Sequence, residues 1–241
     1  MNQELSRYIK KAEKIVVFTG AGISTESGIP DFRGPKGIWK SMSPIYFQDF
    51  ISSEEVRKES WKRKFSNKDI IRNALPNIGH IAVADLINSN PGSHLITQNV
   101  DNLHQDAGLS EVKITEIHGN ATYARCLDCG LRYELGPIKK EFIKNQTIPY
   151  CKECSGIIKQ ATISFGQSMP EKGMKIAQEN ISSCDLFISI GTSLSVYPAA
   201  GFPSLAKEIG AKLIIINNEP TDFDHIADLV IQEQIGSVLS S

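Results

Sequence analysis

The chain has 241 residues, of which 41% are hydrophobic, and it carries 26 Lys and Arg against 27 Asp and Glu. This length fits one large domain, or one domain with a smaller insert. A net charge of −1 excludes the chain-wide positive field of a non-specific nucleic-acid binder, and the balanced, apolar composition disfavours disorder.

Helix-like and strand-like segments alternate along most of the chain. An amphipathic helix is predicted at 3–13 and a buried strand at 14–19. Further strands are predicted at 93–97, 112–117, 186–190, 212–217 and 229–231, with helices at 78–89, 170–181 and 198–209. This alternation predicts an α/β fold with an open, mostly parallel sheet, whose carboxyl-end loops line one ligand crevice.

Two regions interrupt the alternation. Residues 31–77 are polar and rich in helix formers without a clear strand, and residues 119–160 carry paired cysteines and a charged connector. We interpret both as insertions that form a smaller module beside the sheet.

The uncharged stretch 186–206 is long enough to cross a bilayer. Its glycines, prolines and hydroxyl residues break any regular helix, so we interpret it as a strand, a glycine loop and a new helix. The N-terminal segment MNQELSRYIKKAEK is charged and lacks the apolar core of a signal peptide. A cytoplasmic protein without membrane contact is therefore expected.

Four of the five cysteines form two C-x-x-C pairs separated by 21 residues, Cys126 with Cys129 and Cys151 with Cys154. In a reducing compartment this spacing indicates a four-cysteine zinc site. Disulfides are disfavoured by the missing signal peptide, and a redox motif needs only one pair. A catalytic zinc keeps an open position, so a structural zinc is predicted. Cys184 enters an apolar strand and is interpreted as a small buried hydrophobe.

Polar or glycine-rich loops follow the predicted strands. Gly20-Ala-Gly22 lies between a strand and a helix start, which is the context of a phosphate cradle, although Thr25 occupies the third glycine position of a dehydrogenase fingerprint. A plain strand-to-helix turn is the alternative. His118 ends the strand at 112–117 and suits a general base, with a structural histidine or a metal ligand as alternatives. The loops at 30–34, 97–104, 191–193 and 217–220 would each pass as ordinary loops alone.

Together these segments resemble the sirtuin family of NAD-dependent protein deacylases. The resemblance covers nearly the whole chain, and its parts occur in family order. They are GAGISTESGIPDFRG at 20–34, TQNVDNLHQDAG at 97–108, HGN at 118–120, the two cysteine pairs, ISFG at 163–166, GTSLSVYPAA at 191–200 and IINNEPT at 215–221.

The resemblance implies a Rossmann-type large domain at 1–30, 78–118 and 161–241, and a small domain at 31–77 and 119–160 built from a helical insert and a zinc ribbon. It implies NAD as a consumed co-substrate and one structural zinc ion. Acyl-lysine proteins or peptides would meet NAD in the cleft between the domains, giving nicotinamide, O-acyl-ADP-ribose and free lysine. No direct nucleic-acid partner is expected.

The resemblance also assigns roles to individual residues. His118 is the expected general base, and Asn99 and Asp101 complete the expected catalytic set. A substrate strand is expected beside Ile163, Phe165 and Gly166 on one side, and beside Ser195, Val196 and Tyr197 on the other. The expected cofactor set comprises Ala21, Gly22, Ser24, Thr25, Phe32, Arg33, Gln98, Val100, Asp101, His118, Gly191, Thr192, Ser193, Asn217 and Ile235.

The chain departs from the usual sirtuin pattern at Gln160, where proline is common, and at Gln167, where glutamate is common. The tyrosine and arginine of sirtuins that prefer acidic acyl chains have no counterpart around residues 61–64. Acetyl groups are therefore expected, with longer apolar acyl groups as an alternative. Two other functions stay open at this point: mono-ADP-ribosylation from the same NAD pocket, and nucleic-acid binding by a zinc ribbon.

Overall fold

Residues 2–34, 37–66 and 70–240 are described by this computed structural model, and they form both helices and strands. The helices are α1 (Gln3–Lys11), α2 (Phe47–Ser52), α3 (Glu54–Phe65), α4 (Ile70–Asn73), α5 (Ile78–Ser89), α6 (Leu103–Asp106), α7 (Leu135–Asn145), α8 (Glu171–Ile181), α9 (Phe202–Glu208) and α10 (Ile235–Leu239). The strands are β1 (Ile15–Thr19), β2 (His94–Thr97), β3 (Ile114–Glu116), β4 (Gly119–Cys126), β5 (Arg132–Glu134), β6 (Ile158–Thr162), β7 (Leu186–Ile190), β8 (Lys212–Ile216) and β9 (Leu229–Ile231). Short 3-10 helices include Ala21–Ser27 after β1 and Ala199–Gly201 before α9.

Six strands form a parallel sheet in the order β3-β2-β1-β7-β8-β9. Helices α1, α5 and α10 supply Leu5, Ile87 and Val238 to the apolar cluster on one face, while α8 and α9 supply Ile181 and Ala206 to the other. Because both faces are covered, every residue of β1 and β7 is buried, which explains their continuous apolar sequence. The chain order reverses between β1 and β7, so the crevice of this doubly wound sheet opens there. The predicted α/β class is confirmed.

A second sheet is antiparallel, with the order β5-β4-β6. Helices α3 and α7 pack on it through Trp61, Phe65 and Phe142, which form one buried cluster with Ile158. The two predicted insertions therefore share one core, although residues 35–36 and 67–69 of the first insertion lie outside the described residues. The domain boundaries given above stay a prediction. Strand β6 crosses one of them, the boundary between residues 160 and 161.

Several predicted elements have different ends in the structure. The predicted strand 112–117 begins as a 3-10 turn at Glu111–Lys113 and pairs only from Ile114 onward, and Val112 is 85% exposed. The predicted helix 198–209 starts as a 3-10 turn, and its α-helical part has Pro203 in the first turn, where a missing N–H is tolerated. Segment 186–206 is a strand, a loop and a helix as predicted, and no described helix is long and apolar enough to span a membrane.

The loops after β1 and β7 cross in direct backbone contact. The Gly22 N–H donates to Gly191 O at 2.8 Å, and a Cβ on Gly22 would lie 2.8 Å from Gly191 Cα. Gly191 has φ +63°, and a Cβ there would collide with the amide nitrogen of Ile23. A side chain at either position would force the two strand ends apart.

We expect Gly191→Ala to lower the melting temperature by roughly 5–10 °C, because it adds a backbone collision to a left-handed conformation that alanine disfavours. Gly201→Ala is the matched control, since Gly201 has φ −78° and no heavy atom lies within 4 Å of the position that an added methyl group would take. Thermal unfolding followed by circular dichroism measures both. Equal melting temperatures for the two variants would contradict this account of the crossing.

Candidate active site

A cleft of about 680 Å³ lies between the two sheets. The large sheet contributes the loops after β1, β2, β7 and β8, and the segment after β6 contributes the facing wall. The loops at the carboxyl ends of parallel strands therefore form one wall, as the sequence pattern predicts.

Most of the residues singled out by the sequence line this cleft. From the catalytic and cofactor sets, the lining residues are Ala21, Gly22, Thr25, Phe32, Arg33, Gln98, Asn99, Val100, His118, Gly191, Thr192, Ser193, Asn217 and Ile235. From the substrate set they are Ile163, Phe165, Gly166, Val196 and Tyr197. Three predicted residues are absent from the lining, namely Ser24, Asp101 and Ser195. Ser195 instead shares a hydrogen bond of 2.8 Å with Ser193.

Ser24 and Asp101 lie behind the cleft wall in a buried polar network. The Ser24 hydroxyl donates to Asp101 Oδ2 at 2.7 Å and accepts from Asn99 Nδ2 at 3.2 Å. The Leu103 N–H donates to Asp101 Oδ1 at 3.0 Å, and Asp101 is 6% exposed. Asp101 therefore fixes the loop after β2 in this structure, and any contact with a cofactor amide stays a prediction.

His80 extends this network and was not singled out by the sequence. Its Nδ1 accepts from the Asn77 N–H at 3.3 Å, so the neutral ring carries its proton on Nε2, which lies 3.3 Å from Ser24 Oγ. Burial lowers the pKa of His80 to about 4, and the opposing charges of Asp101 and Glu26 do not offset that effect. A neutral His80 thus donates toward Ser24, which in turn donates to Asp101.

His118 joins the large sheet to β4 and lines the cleft. Its Nδ1 lies 3.2 Å from Gln98 O, and because a carbonyl only accepts, Nδ1 carries the proton. Nε2 then keeps a free lone pair. Burial lowers the pKa of His118 below its ordinary value of 6.5, opposed by the bond to Gln98. The ring is therefore neutral at pH 7 and able to accept a proton.

Aromatic side chains connect the loop at 31–34 to the segment after β6. The ring centroids of Phe32 and Trp39 are 5.1 Å apart, and those of Trp39 and Phe165 are 5.2 Å apart. The Arg33 guanidinium lies 4.2 Å from the centroid of the Trp39 ring. Trp39 and Ile71 line the cleft but were not predicted from the sequence, because residues 31–77 were interpreted as one helical insert. The sequence offered one signal for Trp39, since it is an aromatic residue close after the 30–34 motif.

Both departures from the usual sirtuin pattern have a structural role here. Gln167 Oε1 accepts from the Ser164 N–H at 3.1 Å and closes a turn after the predicted substrate segment. Gln160 Nε2 donates to Ala121 O at 2.9 Å and ties β6 to an irregular stretch of β4. Each glutamine therefore stabilises the backbone that forms the cleft wall.

The four paired cysteines converge at the far end of the small sheet. Their Sγ atoms all lie within 4.8 Å of one another, with 3.5 Å between Cys126 and Cys154 and 3.6 Å between Cys129 and Cys151. A tetrahedral zinc with Zn–S bonds of about 2.3 Å requires sulfur separations of roughly 3.8 Å, so the set fits the ion. Four thiolates fill the coordination sphere and leave no open position, which marks the zinc as structural.

The fold and the site define a Rossmann-type α/β protein that carries an inserted four-cysteine zinc module. The chain belongs to the Sir2 family, whose sequence profile matches residues 20–198. It is 52% identical over 237 residues to an NAD-dependent protein deacetylase of Rhodopseudomonas palustris, covering 98% of this chain and 94% of the relative. It is 39% identical over 238 residues to NAD-dependent protein deacylase 2 of Archaeoglobus fulgidus, covering 98% and 92%.

A solved structure supports the same assignment. It holds Sir2 with a deacetylated p53 peptide and 3′-O-acetyl ADP ribose, and it superposes with a TM-score of 0.88 at 33% identity, covering 98% of this chain and 95% of the other. The resemblance seen in the sequence motifs is thus confirmed over almost the full length.

Proposed function

We propose that this chain is an NAD-dependent protein lysine deacylase, which transfers the acyl group of an acyl-lysine side chain to ADP-ribose. With water as the third reactant, the products are nicotinamide, O-acyl-ADP-ribose and free lysine. One observation carries the proposal: His118 is a neutral base in the cleft, with its proton held on Nδ1 by Gln98 O. The deacetylase and deacylase names of the relatives favour this reaction over mono-ADP-ribosylation.

NAD would supply the ADP-ribose that accepts the acyl group. The glycine crossing of Gly22 and Gly191 presents bare backbone beside the start of a 3-10 helix, which suits close approach of phosphate groups. Gln98, held by its Nε2 bond to Thr192 Oγ1 at 2.9 Å, would face the ribose, and Phe32 would cover the nicotinamide side. His118 Nε2 would take the proton of a ribose hydroxyl as that oxygen attacks the acyl carbon.

The substrate peptide would bind as an added strand between segments 163–166 and 195–197. The first segment is anchored at its start, since the Ile163 N–H donates to His118 O at 2.8 Å. We propose Ile163 as the lysine-binding residue, whose carbonyl would accept from the acylated lysine nitrogen, and this bond supports a position for it next to the proposed base. Tyr197, 71% exposed at the cleft mouth, offers an open surface to the peptide.

We also propose a cytoplasmic location, because the four cysteines of the zinc site form no disulfide, and such cysteines persist in a reducing compartment.

We propose that the zinc module has a structural role, in which it supports the cleft wall. No direct nucleic-acid partner is proposed for it.

The proposal is tested by incubating the zinc-loaded protein with lysine-acylated peptides, with and without NAD, and following peptide mass. Acetyl, butyryl and succinyl peptides form the panel, and we expect loss of the acetyl group only with NAD, accompanied by O-acetyl-ADP-ribose. The succinyl peptide should react least, because the tyrosine and arginine of sirtuins that prefer acidic acyl chains have no counterpart around residues 61–64. Unchanged masses for the whole panel would rule the proposal out.

A further inference from the structure

Lys159 is a buried lysine in β6 that the reaction scheme above does not use. Its side chain is 4% exposed. Among the described residues no carboxylate forms an ion pair with it. Burial lowers its pKa to about 8, so at pH 7 it is still largely an ammonium ion. A buried cation without a counter-charge is costly, which calls for a specific partner.

The partner is the backbone at the end of β6. Lys159 Nζ donates to Thr162 O at 2.5 Å, with a longer contact of 3.4 Å to Gln160 O. A charge-assisted bond of this kind is stronger than a neutral one. Thr162 is the residue directly before the proposed substrate segment 163–166. The Lys159 ammonium therefore fixes the backbone at the point where β6 leaves the small sheet.

The other end of the segment is held by α2. Phe47 is the first residue of α2, where backbone N–H groups have no partner within the helix. Its N–H donates to Phe165 O at 2.9 Å. The same helix contributes Phe50, which is 2% exposed and whose ring centroid lies 5.9 Å from Lys159 Nζ. Arg57 Nη1 in turn donates to Phe50 O at 3.1 Å and to Ile51 O at 2.9 Å, which caps the end of α2. One short helix thus touches both anchors.

We infer that Lys159 and the first turn of α2 are positioning elements for the substrate strand: the bonds to Thr162 O and Phe165 O hold segment 163–166 in the conformation that accepts an acyl-lysine peptide. This inference rests on the proposed deacylase function. It assigns to Lys159 of β6 and to α2 of the helical insert a role in peptide affinity, carried through backbone carbonyls and without direct contact to the peptide.

The first test replaces the ammonium. We expect Lys159→Met to raise the KM for an acetyl-lysine peptide at least about tenfold while the KM for NAD changes less than twofold. Lys159→Arg, which keeps a cationic donor, should recover most of the peptide affinity. Lys140→Met, at an exposed position of α7, is the matched control and should match the wild type. A merely structural role would move both KM values together and would not be rescued by arginine.

The second test removes the other anchor without breaking its helix. Proline is tolerated at the first helical position and lacks the N–H, and Tyr46 before it is already extended at φ −76° and ψ 151°. Phe47→Pro should therefore raise the peptide KM several-fold above that of Phe47→Ala, which loses the ring but keeps the N–H. If Lys159→Met fails to fold, the comparison of Phe47→Pro with Phe47→Ala still tests the inference.

Hydrogen exchange separates this inference from the proposed function. Amides in 163–167, protected now by bonds such as Ile163 N–H to His118 O, should exchange at least about fivefold faster in Lys159→Met and in Phe47→Pro, with β1 and β7 unchanged. A wild type without deacylase activity would overturn the proposed function. Hydrogen exchange would then still test whether the bonds to Thr162 O and Phe165 O fix the segment. Unchanged exchange, or faster exchange with an unaltered peptide KM, would overturn the inference.

Discussion

Replacing His118 by alanine is expected to lower kcat/KM for an acetyl-lysine peptide by about 100- to 10,000-fold, the usual contribution of a general base. The loss follows because no other group of the described cleft combines a neutral imidazole with a fixed tautomer. The imidazole is held by Gln98 O, and among the described residues that line the cleft His118 is the one histidine. Initial rates measured by peptide mass spectrometry provide the test.

His225→Ala is the matched control, because His225 is exposed and lies outside the cleft lining. Both variants should bind NAD and unfold within a few degrees of the wild type. Retention of more than about a tenth of the wild-type rate by His118→Ala would show that another group accepts the proton.

The same residue predicts the shape of the pH profile. The active form of a base is the unprotonated one, so activity is lost as pH falls through its pKa. Since burial lowers the pKa of His118 below 6.5, the midpoint of the acid-side decline in kcat/KM should lie below pH 6.5. A decline centred above pH 7 would contradict the environment described for the ring.

The second large effect is expected from loss of zinc. Structural zinc sites contribute about 10–16 kcal/mol of apparent binding free energy in small domains, and the three-strand sheet here depends on a similarly small core. Cys151→Ser, or treatment of the wild type with a strong chelator, should lower the melting temperature by at least about 10 °C and abolish deacylation. Wild-type protein should contain one zinc per chain by elemental analysis.

Cys184→Ser serves as the control for cysteine replacement. Cys184 is buried two residues before β7 in an apolar cluster of the large sheet and outside the four-cysteine group, so this variant should keep its zinc. Tyr133→Phe should lower the melting temperature by an intermediate amount. The Tyr133 hydroxyl donates to Cys151 Sγ at 3.1 Å and accepts from the Lys152 N–H, and phenylalanine loses both bonds. A metal-free protein with unchanged melting temperature would show that the module folds without the ion.

The sequence predicted those parts of the molecule that depend on neighbours in the chain. The strands β7 and β9 and helix α5 have the predicted bounds, because short apolar runs and an apolar helical face are local signals. The zinc site followed from spacing alone, since each C-x-x-C pair presents two thiolates from one turn. Loops after parallel strands were correctly expected to meet at one edge.

What escaped prediction depends on contacts between distant segments. Asp101 is turned away from the cleft by Ser24, 77 positions earlier in the chain. His80 looked like one more residue of an amphipathic helix, and only the packing of α5 places it beside Ser24. From the sequence, Lys159 has the character of a solvated strand residue. In the structure it is covered by Phe50, which is more than 100 positions away in the chain. Spacing within a segment carries no information about such partners.

The pairing of Gly119 with Thr162 joins the start of β4 to the end of β6, and a side chain on Gly119 would collide with Ala161 O. His118 is the residue before the first of these, and Ile163 is the residue after the second. The base and the proposed lysine-binding residue are therefore held next to each other by the last paired residues of the small sheet, while the bond from His118 Nδ1 to Gln98 O ties the same position to the large sheet. The spacing between His118 and Ile163 is thus set by backbone pairing that does not involve the loops of the glycine crossing.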